Sequence, residues 1–274
     1  MKNNKTFYCI ICLISVIILI WSLSGNNLVE NFENNNIPKV IHKVLIQDDG
    51  KIPKNLDKNI KDAHNSWKEM NPEYKIKYWS LDDCREYLQN NFPSNYLETF
   101  DCIKAYAGKC NFFRFTIIYN EGGWYSDWKQ ICLIENLLNK LSKNNNNFIY
   151  FQDKGNNRII KKKCIQNAFF GSIPKHPILK KTLELVIENV KNKYYGDFSL
   201  DTTGVCVFGK AIRYYNDNNK SIKEQGFYTK NFFNHNEFGK IIQHKCDNCG
   251  NDQNWKNGNN YNDLWKQRKY YCDD

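Results

Sequence analysis

Ala107–Cys132, AGKCNFFRFTIIYNEGGWYSDWKQIC, is the stretch on which the fold turns. Ala107, Cys110, Phe113 or Phe115, Ile117 and Ile118 recur at helical spacing, so the segment begins as a helix. Gly122 stands where the chain leaves the last helical turn and needs a positive φ, and Gly123 lets it fold back tightly. The residues that follow, Trp124-Tyr125-Ser126-Asp127-Trp128-Lys129, are rich in strand formers. Side chains alternate along a strand, which predicts Asp127 and Lys129 on one face. Two readings stay open at this level. The unit either carries paired charge to a ligand, or is an ordinary helix and strand with a solvated edge.

Upstream, Lys39–Gln47 (KVIHKVLIQ) follows Pro38 and is continuous enough in apolar character to predict a central strand. His42 lies within it, where a histidine is commonly a satisfied core group. Leu56, Ile60, Ala63, Trp67 and Met70 then keep helical spacing until Asn71-Pro72 stops the helix. Tyr74–Trp79 alternates as a strand, and Ser80 with Asp83 forms a capping pair that opens another helix. Strand, helix, strand, helix ahead of the long helix predicts an α/β fold with a mostly parallel sheet. Downstream, Phe148–Gln152, Gln166–Ser172 and Gly239–His244 read as further strands. Leu179, Leu183, Val186, Ile187, Val190 and Tyr194 mark an amphipathic helix, and a second helical run follows Thr202-Thr203-Gly204. Thr and Gly at that start suit an N-cap, and also an anion. The tail from Cys246 is aromatic but irregular.

The chain has 274 residues, 41% of them hydrophobic, enough for one sizeable core. Phe7–Leu23 is an unbroken uncharged run of 17 residues preceded by Lys2 and Lys5. It predicts a transmembrane signal-anchor, with a cleaved signal as the alternative. The lysines favour a cytosolic tail at 1–6 and a type II orientation, with the remainder lumenal in an ER- or Golgi-type compartment. Residues 24–36 are polar and low in complexity, a stem, and 37–274 form the folded domain. The net charge of +10 comes from scattered lysines within a Lys/Asn/Ile-rich composition. With the basic run Arg158–Lys163 read as a solvated loop, this excludes a nucleic-acid partner from the leading readings. Eleven cysteines include Cys9 and Cys12 in the apolar run, which leaves an odd nine and no readable connectivity. Cys246-Asp247-Asn248-Cys249 beside His244 lacks a second ligand pair at zinc spacing, so a disulfide or free thiols are favoured.

The landmarks together resemble the glycosyltransferases whose sugar-binding region carries a DXD motif, the family 32 enzymes that include initiating α-1,6-mannosyltransferases. The resemblance runs from Ile37 to about Trp255. Ile37–Lys43 is similar to the family's opening IPKIIHQ strand, and Asn71-Pro72-Glu73-Tyr74 with Tyr78-Trp79 to its NP-x-Y…W segment. The helix with Arg114, then Gly122-Gly123-Trp124-Tyr125-Ser126-Asp127, is similar to SDxxRyxxLyxxGGxYxD. Asn167-Ala168-Phe169 with His176-Pro177, Thr203-Gly204, and His244 followed by Trp255 are similar to later landmarks. The resemblance implies a GT-A fold and retaining transfer of a hexose, of mannose or galactose type, from a nucleotide sugar to a glycan or glycolipid. It implies a donor site formed by His42, Asn111, Arg114, Gly122 and Gly123, together with Tyr125, Asp127, His244 and Trp255. Asp127 and His244 would hold a divalent cation, Mn²⁺ or Mg²⁺, with Asp127 and Lys129 at the catalytic centre.

Two residues depart from the pattern. Asn111 replaces the acid of the family's SD dipeptide and keeps a carbonyl but no charge. Lys129 replaces the second acid of DXD, and an ammonium is no metal ligand. At ~5 Å and an effective dielectric of ~20 it repels a divalent ion by about 6–7 kcal/mol before any diphosphate is counted. Lys129 is therefore expected to do part of a cation's work. The competing reading is a catalytically weak descendant that binds glycans or nucleotide sugars.

Overall fold

The structure, a computed structural model, describes residues 36–143, 146–219, 221–249 and 258–273. The expected tail, anchor and most of the stem, and Trp255, lie outside the described residues. Among the described residues no helix is long and apolar enough to cross a membrane. Residues Asn36–Asp274 form one compact unit.

The first half follows the predicted order: β1 (Val40–Val44), α1 (Lys58–Met70), β2 (Lys75–Trp79), α2 (Leu81–Asn91), α3 (Ser94–Cys102), α4 (Tyr106–Glu121) and β3 (Gly123–Ser126). The helix α1 buries Ile60, Ala63, His64 and Trp67, the stripe its spacing dictates. The helix α2 opens on the full Ser80–Asp83 capping box. The helix α4 is buried nearly all round, with Phe112, Phe113, Phe115, Ile117 and Ile118 inaccessible to solvent, so it is the central helix of the main core. Gly122 and Gly123 adopt φ of 68° and 95°. A Cβ on Gly123 would come within 2.7 Å of the Val40 carbonyl, so the tight turn admits no side chain.

The second half holds β4 (Ile131–Cys132), α5 (Leu137–Leu141), β5 (Phe148–Asp153), α6 (Asn157–Lys161), β6 (Ile165–Ser172), α7 (Pro177–Lys191), α8 (Val205–Asn218), β7 (Gly226–Thr229), β8 (Phe232–His235), β9 (Gly239–Gln243) and α9 (Tyr261–Lys266). The strands form one sheet in the order β2-β1-β3-β6-β5-β7-β8-β9-β4. The expectation of a mostly parallel sheet is corrected here. Only β1–β2, β1–β3 and β5–β7 pair in parallel, and the other neighbours are antiparallel. The parallel pairs β1–β2 and β1–β3 lie in the strand–helix–strand region, where helical crossovers return the chain, and β5–β7 is a later parallel pair. The antiparallel pairs are the late hairpins β7–β8 and β8–β9, the second of which turns through Gly239 at φ 68°, and the returns of β6 against β3 and β5 and of β9 against β4. The basic run is the short helix α6 rather than a loop, and Lys162 pairs with Asp197 and Asp201.

The irregular tail is structural. Cys272 is disulfide-bonded to Cys102, Tyr271 bridges Ile103, and Tyr270 packs against Gly108 in α4. Two further disulfides join Cys164 to Cys206 and Cys246 to Cys249, the latter in place of a zinc site. The Cys102–Cys272 link closes a sequence separation of 170 residues. Replacing both cysteines with serine is expected to cost roughly 2–5 kcal/mol in denaturant unfolding. A loss below the measurement error would show that the tail is held by packing alone.

Candidate active site

The strand β3 ends at Ser126, and Asp127–Gln130 form a turn closed by a Gln130 N–H bond to the Asp127 carbonyl (3.3 Å). The predicted continuation of the strand through Lys129 is therefore corrected. Asp127 and Lys129 still meet, because the turn brings both into one cavity of about 200 Å³. Val44, Leu45 and Ile46 from the end of β1, and Tyr106, Ala107, Cys110 and Arg114 from α4, form two of its walls. Tyr125, Asp127, Trp128 and Lys129 line it from the turn, and His244, Lys245 and Asn259 from the C-terminal region. Among the described residues, Asp127 is the only carboxylate in this lining.

Arg114 sits one turn after Cys110 and two after Tyr106, on the face of α4 that meets the sheet. Its guanidinium donates to the carbonyls of Asn167 (2.8 Å) and Cys110 (3.2 Å) and pairs with Asp127 Oδ1 at 3.1 Å. It also stacks over Tyr125, 4.3 Å from the ring centroid. Burial opposes its charge, but the attraction of Asp127 outweighs this and the pKa rises. The Tyr125 hydroxyl donates to the same Asp127 oxygen (2.9 Å). The carboxylate is thus fixed in one orientation by two donors.

Beneath it lies Lys43, fully buried, which sequence reading left as part of a strand motif. Its ammonium donates to Ser126 Oγ (2.9 Å) and to the Asp127 carbonyl (3.0 Å), and stands 5.0 Å from the Trp67 ring. Burial lowers its pKa to about 7, against the opposing pull of Asp127. Ser126 Oγ donates to Gln130 Oε1 (3.0 Å), and Gln130 Nε2 lies 3.4 Å from His244 Nδ1. His244 is held edge-on by Tyr228, at a centroid distance of 5.1 Å, and burial lowers its pKa.

Other predicted residues stand elsewhere. His42 points away from Lys43, into the layer of α2 and α4, and accepts from Trp79 Nε1 (3.1 Å). Burial pushes its pKa down to about 4, so it is a neutral core group outside the cavity. Gly122 and Gly123 lie at the opposite end of β3 from Asp127. Asn111 donates to Thr203 Oγ1 (3.3 Å) and accepts from Asn167 Nδ2 (3.0 Å), which ties α4 to β6 and to the start of α8. Thr203 is engaged by Asn111 and Tyr270 and provides no side-chain cap to α8.

Sequence reading missed Lys43, Lys245 and Asn259. Asn259 accepts from the Tyr106 N–H (2.7 Å) and donates to the Lys104 carbonyl (3.0 Å), pinning the start of α4 at the cavity. Nothing local in the sequence marks that contact. A second cavity of about 360 Å³ shares Trp128 with the first and is lined by Ile52, Leu56, Lys61, His64, Asn65, Lys68 and Tyr78. The His64 Nε2 bond to the Trp128 carbonyl (3.0 Å) fixes the wall between the two.

The described residues do not fit a resident divalent cation. No group of three or more His, Cys, Asp or Glu gathers among the described residues. Asp127 Oδ1 is already shared by Arg114 and Tyr125, His244 Nδ1 faces an amide, and Lys129 and Lys245 line the same space.

Residues 57–149 match the family described as glycosyltransferase sugar-binding region containing DXD motif. An uncharacterized glycosyltransferase of Acanthamoeba polyphaga mimivirus is 30% identical over 184 residues, which are 67% of this chain and 67% of that protein. A mannosyl phosphorylinositol ceramide synthase of Saccharomyces cerevisiae is 27% identical over 148 residues, 54% of this chain. The alignment spans only 34% of that yeast protein's length. Among solved structures, the glycosyltransferase PaToxG aligns with a TM-score of 0.43 at 18% identity, over 65% of this chain and 69% of its own. The match across Arg114 and Asp127, and the shared two thirds of the viral relative, place this chain among the glycosyltransferases with a DXD-type sugar-binding region.

Proposed function

We propose that the chain transfers a hexose, of mannose or galactose type, from a nucleotide sugar to a glycan or glycolipid with retention at the anomeric carbon. The observation that carries this is the cavity in which one oriented carboxylate, Asp127, meets Arg114, Lys129, Lys245 and the start of α4. A helix N-terminus and fixed cations suit a diphosphate, and a lone carboxylate held by two donors suits sugar hydroxyls. At about 200 Å³ the cavity takes the sugar-diphosphate end, and the nucleoside lies on its open side.

In this reading the acceptor oxygen attacks the anomeric carbon on the face from which the diphosphate leaves. The new C–O bond forms as the bond to the diphosphate oxygen breaks, and the acceptor proton passes to that departing oxygen. No protein nucleophile is needed, unlike the paired carboxylates of most glycosidases. Fixed positive charge from Lys129, Lys245 and α4 stabilises the leaving group. Turnover is expected to persist in EDTA, and Lys129→Ala to lower it by about a hundredfold. Full dependence on Mn²⁺ together with an unimpaired Lys129→Ala variant would refute this role.

The name of the yeast relative contains an inositol-phosphate lipid. The second cavity supports an acceptor of that anionic class, since Lys61 and Lys68 line it and no carboxylate does. The double variant Lys61→Ala/Lys68→Ala is expected to raise the KM for a phosphate-bearing acceptor roughly tenfold, and to leave a matched neutral acceptor unchanged. Equal KM changes for both would rule the cavity out. Three disulfides support folding in an oxidising, lumenal compartment behind an anchor at 7–23. The test of the whole reading follows nucleoside diphosphate release and product anomer with GDP-mannose, UDP-galactose and related donors. Release from none of them would refute it.

A further inference from the structure

We infer that Lys43, Ser126 and Gln130 form a directional hydrogen-bond relay that holds His244 in its Nε2–H tautomer, so that His244 meets the anionic diphosphate as a donor and not a cation as a ligand. The inference rests on the nucleotide-sugar reading only for the identity of the anion.

The direction of each bond follows from what each group can do. A lysine side chain has hydrogens to give, and both of its partners here, the Asp127 carbonyl and Ser126 Oγ, accept. The charged and the neutral amine each carry enough hydrogens for the two bonds, so the direction does not depend on its protonation. Ser126 Oγ, having accepted from Lys43, gives its own hydrogen to Gln130 Oε1 (3.0 Å). That fixes which end of the Gln130 amide faces His244, because the oxygen is taken and the NH₂ is left. Gln130 Nε2 therefore donates to His244 Nδ1, 3.4 Å away, and the ring proton resides on Nε2.

Lys43, Ser126 and Gln130 are all fully buried, where polar groups that reverse their direction would lose partners. Reversal at Gln130 would place its NH₂ against the serine hydroxyl and its oxygen against the ring. Serine would then need to accept from two donors with its own hydrogen left only the more distant Asp127 carbonyl, at 3.4 Å. The ring nitrogen remaining for a ligand in the cavity is Nε2. As an N–H it cannot bind a metal, and it suits a phosphate oxygen beside Lys129 and Lys245. Lys43, Ser126 and Gln130 are positioning residues, since each acts through the next.

Nitrogen-15 NMR of the full chain labelled in histidine reads the tautomer without any nucleotide. The wild type is expected to show His244 as Nε2–H. Ser126→Ala frees the Gln130 amide to turn and is expected to give a mixture of tautomers. Gln130→Glu, which places an acceptor against Nδ1, is expected to move the proton onto Nδ1. An Nδ1–H resonance in the wild type, or an unchanged tautomer in both variants, overturns the relay. Calorimetry with inorganic pyrophosphate in EDTA then reads the ligand. Binding is expected to weaken about tenfold in His244→Ala, and equal affinity in wild type and variant overturns the donor role. If pyrophosphate binds in this His244-dependent way but no nucleotide sugar is turned over, the relay stands and the transferase reading fails.

Discussion

Replacing Asp127 with alanine is expected to reduce sugar transfer by roughly a thousandfold or more while the protein stays folded. Among the described residues Asp127 is the only acid lining the cavity, and both of its neighbours, Arg114 and Tyr125, point donors at the same oxygen. Removing it takes away the charged acceptor for sugar hydroxyls in that lining. The structural cost is expected to be about 1–2 kcal/mol, because Arg114 keeps the Asn167 and Cys110 carbonyls and the Tyr125 ring. Steady-state transfer and denaturant unfolding on the same preparation separate the two effects. Near-normal turnover in the folded variant would remove Asp127 from the reaction.

Arg114→Ala is expected to be the more damaging change to the fold. A guanidinium that satisfies two buried carbonyls, a carboxylate and an aromatic face occupies the centre of α4. Alanine leaves those carbonyls and Asp127 without their shared donor, at an expected cost of roughly 3–5 kcal/mol. Arg114→Lys keeps the charge but has no planar fork to reach three acceptors, and is expected to recover less than half of the loss. A midpoint shift by denaturant for Arg114→Ala no larger than that of an exposed control such as Lys191→Ala would contradict this role.

The stretch 107–132 was legible because its signals are local. Helical spacing, two glycines that need positive φ, and an aromatic strand all reside within one supersecondary unit, and all appear where expected. What local pattern overstated was the length of the strand. Trp128 and Lys129 are as strand-like as Trp124, but pairing with β6 ends at the Asp127 N–H bond to the Ala168 carbonyl (2.9 Å), and there the chain turns. Lys43 could not be seen as a site residue, since its partners lie 83 and 84 positions away and its neighbours read as an ordinary core strand. Asn259 is 153 positions from the helix start that it pins. His42 and Asn111 were carried into the donor site by resemblance, whereas the pleat of β1 turns His42 toward Trp79 and the bonds of Asn111 to Thr203 and Asn167 keep it out of the cavity lining. The mostly parallel sheet failed for a related reason: early alternation of strand and helix says nothing about how later strands return.

The cavity around Asp127 is expected to bind a nucleotide sugar. Calorimetric titration of candidate nucleotide sugars into the full chain, in EDTA and in Mn²⁺, tests it most directly. At least one donor is expected to bind saturably without metal, weakened roughly tenfold or more in both Asp127→Ala and Lys129→Ala. Absence of binding by every donor, or equal affinity in the wild type and both variants, would contradict it.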